Sequence, residues 1–187
     1  MNKHPQKTEN PLLKECLFTA LIKLMDQKDF KDIKITEIAQ KAGVSRMTYY
    51  RTYDSKEDIL IQYFKDQAQQ VLLAISEHPE YNTNEIFCLY FSFFKEHAHL
   101  MEYLYKAGLL KEVMQRFLSF VAEAYEKSNA HSPEDPHKAY AISFISGGLF
   151  LLLLHWIEHG LMETPEEMAR ITMQILHISS SEPTKSS

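Results

Sequence analysis

Wherever apolar residues gather in this chain they recur at three- and four-residue steps, and no stretch alternates with a period of two. Leu13, Leu17, Ala20, Leu21 and Leu24 form one such stripe. Ile59, Leu60, Tyr63, Phe64, Val71, Leu72 and Ile75 form another, and Met168, Ile171, Ile175 and Leu176 a third. That spacing lines one face of an α-helix and would scatter across both faces of a strand. An all-α chain without internal repeats is expected. At 187 residues and 45% apolar content, the chain can bury a core without staples. Cys16 and Cys88 sit in apolar helical runs with no CxxC spacing or histidine partner, so they are expected to be small buried thiols in a reducing compartment. The opening "MNKHPQKTEN" has no apolar core of an export signal, which makes the cytoplasm the expected location.

The segment at residues 139–157, "AYAISFISGGLFLLLLHWI", has no Asp, Glu, Lys or Arg and is nearly long enough to cross a bilayer. It holds two glycines, two serines and His155, and no second segment like it exists in the chain. A helix buried between protein surfaces is the better reading, and no membrane partner is expected.

Charge is unevenly spread. The net charge of −5 conceals eleven Lys or Arg against nine Asp or Glu in residues 1–62, and nine against sixteen in the remainder. Only the amino-terminal third would welcome a polyanion. Its punctuation is also specific. Asn10-Pro11 caps and opens a first helix running to about Gln27. Phe30, Ile33 and Ile35 of the charged connection dock on the core, and Thr36 caps a second helix that Gly43 stops. "AGVS" then reads as helix, tight turn, new helix, with Val44 in the corner and Ser45 as the next cap. "SKED", from Ser55 to Asp58, is a capping box for a fourth, longer helix. Further on, an aromatic-rich helical stretch follows from Asn84, residues 128–137 form a polar loop with Pro133 and Pro136, and "TPEE" at Thr164 opens the last helix.

Residues 35–64, "ITEIAQKAGVSRMTYYRTYDSKEDILIQYF", resemble the DNA-binding domain of TetR-family transcriptional regulators, because "IA", "AGVS", "TYY", the aromatic at Tyr53 and "SKEDIL" occur together at that family's spacing. The resemblance implies an amino-terminal helix-turn-helix DNA-binding domain, residues 1–54, and a linking helix 4 from 55 to about 76. A helical effector-binding and dimerisation domain, 77–180, and a disordered tail, 181–187, would follow. In a helix-turn-helix the second helix presents its amino-terminal residues to base edges in the major groove. Ser45, Arg46, Met47 and Thr48 occupy that leading turn. Arg46 has the forked donors that read guanine O6 and N7, and Met47 suits a thymine methyl. Tyr50, Arg51 and Lys56, with the hydroxyls of Thr36, Thr48 and Thr52, match positions that clamp phosphates in the family. Tyr49 and Tyr53 match buried positions that support the reading helix from below.

The same resemblance implies a homodimer on a palindromic double-stranded DNA operator, paired through the last two helices, residues 138–159 and 165–177. Phe144, Gly148, Leu151, Leu152, His155, Met168, Ile171 and Ile175 are the expected interface residues. It also implies a small-molecule effector, apolar or aromatic, whose walls would come from Phe87, Tyr90, Phe91, Phe94, Met101, Tyr103, Met114, Phe117, Tyr140, Phe144 and Trp156. Repression relieved by effector is the primary expectation; an activator, or a co-activator needing a protein partner, is the alternative. "HWIEH", His155 to His159, formally matches a zinc-peptidase pattern in which His155 and His159 bind metal and Glu158 is the base. With no third ligand, no phosphate loop and no activated nucleophile in view, neither a cofactor, a resident metal nor an enzymatic activity is expected, and a zinc hydrolase is the remote alternative.

Overall fold

The structure, a computed structural model, describes residues 10–127 and 136–178. The tail at 181–187 and all but the last two residues of the loop at 128–137 lie outside the described residues. The described residues contain nine α-helices and no strand. These are α1 (Pro11–Met25), α2 (Ile35–Lys41), α3 (Arg46–Thr52), α4 (Lys56–Glu77), α5 (Thr83–Glu96), α6 (Ala98–Lys106), α7 (Leu110–Lys127), α8 (Lys138–Glu158) and α9 (Pro165–Ile178). A single 3-10 turn, Phe30–Asp32, stands between α1 and α2.

Local chemistry starts and stops these helices. The Asn10 side chain accepts from the Leu13 N–H at 3.2 Å ahead of Pro11. Ser55 and Asp58 satisfy each other's backbone N–H at 3.1 Å, Asn82 and Glu85 do the same before α5, and Thr164 and Glu167 before α9. Each such cap is worth about 1 kcal/mol. One expectation is corrected: Thr36 is not the cap of α2. The helix begins at Ile35, and Glu37 reaches back to the Lys34 N–H at 2.9 Å while accepting an ion pair from Lys28. The long aromatic stretch is likewise three helices, broken at His97 and at Gly108, whose φ of +73° ends α6.

Two compact units make up the chain: Met1–Gln67 with His99–Val113, and Ala68–Ala98 with Met114–Ser187. The long α4 therefore contributes to both. In the first unit Leu17 and Leu21 of α1, Ile38 of α2, Tyr49 of α3, Ile59 and Leu60 of α4 and Leu104 of α6 are fully buried, each apolar side chain contributing about 1.5–3 kcal/mol. Phe18 stacks flat on Tyr63, tying α1 to α4. Tyr103 of α6 donates a 2.7 Å hydrogen bond to the Asp26 carboxylate just past α1, and that bond, with burial, raises its phenol to about 12.

The second unit is built on aromatics. Tyr90, Phe91 and Phe94 of α5, Phe117 of α7, and Phe150 and Trp156 of α8 are buried and meet edge-on or tilted, as in the Phe91–Trp156 contact at 5.5 Å and 90°, the geometry their quadrupoles prefer. The Tyr90 hydroxyl donates to the Leu149 carbonyl at 3.1 Å. Lys95 reaches the Glu163 carbonyl beside α9. The cysteines depart from expectation: Cys16 is exposed and Cys88 half-buried, both unpaired. Cys16 falls on the outer side of α1, away from the Leu17, Ala20, Leu21 and Leu24 stripe.

Candidate nucleic-acid interface

The turn after α2 is closed by its own backbone. Gly43 takes φ +70°, its N–H bonds the Gln40 carbonyl at 3.1 Å and the Val44 N–H bonds the Ala39 carbonyl at 2.9 Å. This is the paired-bond stop that glycine permits most cheaply. Ser45 then caps α3: its Oγ accepts from the Thr48 N–H at 3.0 Å and shares a 2.9 Å hydrogen bond with the Thr48 hydroxyl.

From that start α3 has two sides. Tyr49 is fully buried and Tyr53, just past the helix, nearly so, as the support role requires. Arg46, Met47, Tyr50 and Arg51 are exposed, and Met47 is 72% exposed. A methionine so placed contributes nothing to this unit's core and offers its flexible apolar tip to whatever approaches. Tyr50 stands edge-on to Tyr49 at 5.4 Å, which steadies it at the rim. The buried Tyr49 hydroxyl has no hydrogen-bond partner among the described residues, and burial pushes its ionisation far above the usual range.

The expected contact residues separate into groups. Arg46, Met47, Tyr50 and Arg51 share the outer side of α3, and Thr36 is exposed in the first turn of α2. The hydroxyls of Ser45 and Thr48 are engaged with each other. Thr52 is buried and donates to the Thr48 carbonyl at 3.0 Å. The Lys56 ammonium donates to the carbonyls of Phe30, Lys31 and Ile33. The resemblance that placed these last two on the interface carried no sign of where their polar atoms would turn.

The expected effector walls are divided as well. Phe87, Tyr90, Phe91, Phe94, Phe117 and Trp156 are buried in the second unit, where the Trp156 Nε1 has no hydrogen-bond partner among the described residues. Met114, Tyr140 and Phe144 of the same unit are exposed, whereas Met101 and Tyr103 belong to the first unit. Sequence reasoning passed over Phe150, which α8 buries beside Phe117. The first unit contains an open cavity of about 620 Å³ lined by Met25, Lys28, Asp29, Phe30, Lys31, Lys106, Ala107 and Gly108. Its lysines have carboxylate partners in Glu37, Asp29 and Glu102.

α8 is long and apolar enough to cross a membrane, yet one side packs Leu149, Phe150, Leu153 and Trp156 into the protein. Tyr140, Phe144, Gly148, Leu151 and His155 lie at steps of four, four, three and four residues on another side, all exposed in this chain. A Cβ added at Gly147 or Gly148 would meet nothing within 4 Å, so neither glycine relieves crowding among the described residues. Of the remaining expected interface residues, Leu152 and Ile171 are half-buried, Ile175 is exposed, and Met168 is buried within the unit. His155 and His159 lie ring to ring at 4.0 Å, and His159 Nδ1 meets the His155 carbonyl. Among the described residues no group of three His, Cys, Asp or Glu converges on one point.

Comparison with known proteins agrees with this architecture. Residues 17–63 match the profile of bacterial regulatory proteins of the tetR family, and residues 81–178 match that of a transcriptional regulator C-terminal region. Over 166 residues the chain is 25% identical to the uncharacterized HTH-type transcriptional regulator YxbF of Bacillus subtilis (strain 168), covering 83% of this chain and 42% of that protein. The chain thus spans less than half the length of that curated relative. A structure assigned to the TetR-family transcriptional regulators from Syntrophomonas wolfei superposes with a TM-score of 0.70 at 20% identity, covering 93% of this chain and 98% of that one. The transcriptional regulator FadR of Bacillus subtilis, solved in complex with stearoyl-CoA, gives 0.55 at 18% identity, covering 87% and 96%.

Proposed function

Starting from the TetR family of bacterial transcriptional regulators, to which this chain belongs, we propose that it is a homodimeric repressor. It holds a palindromic operator through two copies of α3 and releases it when a small molecule binds the second unit. Regulation of transcription through a DNA-binding helix-turn-helix is the family property; repression, palindromy and dimerisation are the proposal. Operator contact falls to residues 1–54, the helix from 55 to about 76 connects them to residues 77–180, and these carry effector binding and dimerisation. The site of action is the cytoplasm, where the operator is.

The observation that carries this reading is the sidedness of α3, with Arg46, Met47, Tyr50 and Arg51 outward over a buried Tyr49. Arg46 and Met47 read base edges, Tyr50, Arg51 and Thr36 meet phosphates, and Ser45 and Thr48 shape the leading turn. So few contacts per copy give useful affinity only when two copies act together on one duplex. The exposed stripe of α8 supplies the means of pairing. An apolar face with Phe144 67% and Leu151 66% exposed favours burial against a second copy, and Gly148 within it leaves room for close helix approach. Met168, buried in its own unit, supports α9 rather than meeting the mate. The effector is apolar or aromatic, in keeping with the side chains of the second unit, and acyl thioesters are the first compounds to try.

Gel shifts with DNA from around the chain's own gene test the proposal. A specific complex is expected, its affinity falling with salt by about 0.9 log units per log unit of salt for each phosphate neutralised. Arg46→Ala should lose about 1–3 kcal/mol and relax preference at one base pair per half-site. No specific complex with any promoter fragment would sink the reading. Transcription in vitro should fall as protein is added; a rise instead would make this an activator.

A further inference from the structure

We propose that Lys56 is a positioning residue for DNA binding: its ammonium gathers the carbonyls of Phe30, Lys31 and Ile33 and so sets the angle at which α2 and its turn meet DNA. The DNA-side consequence rests on the reading of α2 and α3 given above; the staple itself does not.

A lysine ammonium has three N–H donors and no acceptor. In this chain they go to Phe30, to Lys31 at 3.1 Å and to Ile33 at 3.0 Å, residues 23 to 26 positions away. The same nitrogen stands 4.5 Å above the buried Phe30 ring, where the negative face of the ring favours a cation. The Phe30 carbonyl, which also accepts from the Ile33 N–H at 3.2 Å, and its neighbours at the end of the helical turn carry partial negative charge. An ammonium held there has all its donors satisfied, and turning out to a phosphate would strip three acceptors at once.

The bonded turn leads straight into the reading head. Ile33 precedes Lys34, whose N–H Glu37 caps as α2 begins. Lys28 holds the other side of the connection through the Asp32 carbonyl at 3.3 Å and through Glu37. The connection from Lys28 to Lys34 is therefore gripped by its own first ammonium, at Lys28, and by one from the start of α4. The entry of α2, with Thr36 in its first turn, is tied to α4 through the side chain of Lys56. The tripod needs a compact charge with radiating donors. Arginine keeps the charge, but its planar fork does not match three carbonyls converging on one point.

The test uses the full chain and three substitutions: Lys56→Met, Lys56→Arg and Thr36→Ala. Operator affinity is measured as a function of salt, at temperatures where circular dichroism shows each variant folded. Both Lys56 variants should bind the operator at least fivefold more weakly with an unchanged salt slope, and Thr36→Ala should cost less in the Lys56→Met background than alone. In the free protein, the amide resonances of residues 30–36 should shift in both variants, and the wild-type Lys56 ammonium should exchange its protons slowly by nitrogen-15 NMR. A slope flattened by about 0.9 in Lys56→Met, with wild-type affinity in Lys56→Arg and unmoved resonances at 30–36, would overturn the proposal and return Lys56 to the phosphate contacts. Failure of the DNA reading is separable: Arg46→Ala would then leave binding unchanged, while the free-protein spectra would still decide whether Lys56 holds the turn.

Discussion

Tyr49 and Arg46 are three residues apart, yet the first is fully buried and the second exposed. The resemblance to the TetR family implied Tyr49 inward and Arg46, Met47, Tyr50 and Arg51 outward, and at about 100° per residue those four share one arc of the helix that leaves Tyr49 outside it. It did not foresee that the Tyr49 hydroxyl would be enclosed without a partner. An unpaired buried hydroxyl costs about 1–3 kcal/mol, so Tyr49→Phe should leave the protein as stable or up to about 1 kcal/mol more stable in urea titrations; a loss above that range would reveal a hidden partner. Burial also raises the ionisation of Tyr49 and Tyr53 above the ordinary value of 10. The folded state keeps these protons where the unfolded chain loses them, so their stabilisation is complete below pH 10 and declines as pH rises beyond it. Tyr49→Phe should soften that alkaline decline. Thr52 and Lys56 were the hardest residues to read from spacing. Both carry polar tips that turn to backbone carbonyls, and no local pattern reveals where a carbonyl from a distant turn will be.

Elements were legible where their ends are written in short-range chemistry. The caps at Asn10, Ser45, Ser55 and Thr164, and the stop at Gly43, depend on residues within four positions of one another, and all are present. Gly43→Ala tests the turn by itself, because an added Cβ would meet nothing within 4 Å and only the backbone at φ +70° resists it. A loss of about 1 kcal/mol is expected in thermal or urea unfolding, with weaker operator binding; an unchanged stability would mean that the turn tolerates another conformation. The break at Gly108 was missed because apolar residues resume at once in Leu109 and Leu110, and that at His97 because the polar run Lys95, Glu96 and His97 holds no glycine or proline to mark a stop. A helix can stop inside an apolar run when the chain must change direction to remain in its core. Likewise Thr36 looked like a cap, yet Glu37 reached the Lys34 N–H first, so the cap is Lys34 and α2 starts at Ile35 rather than Glu37.

For the molecule as a whole, the uncharged stretch of α8 at residues 139–157 posed the largest question and the structure sharpened it. One side belongs to the aromatic core of the second unit, and the stripe through Phe144 and Leu151 does not. Leu151→Glu should therefore leave circular dichroism and melting nearly unchanged while shifting light scattering from dimer toward monomer and weakening operator binding by more than tenfold. A wild-type dimer in that variant would rule out pairing through α8. The candidate effector walls show how tertiary structure regroups what a linear pattern joins: Met101 and Tyr103 lie in the same aromatic stretch as Tyr90 and Phe94, but α6 belongs to the first unit. The family resemblance implied which side of α3 looks outward; by itself the sequence determined the helical class, most of the helix starts and the turn that leads into α3. These follow from periodicity and from hydrogen bonds closed within a few residues. Only the tertiary structure decided which unit α6 joins, which polar atoms of Thr52 and Lys56 are already engaged, and which side of α8 is left uncovered. Those outcomes depend on contacts between residues tens of positions apart, whose energies arise only once the chain has brought them together.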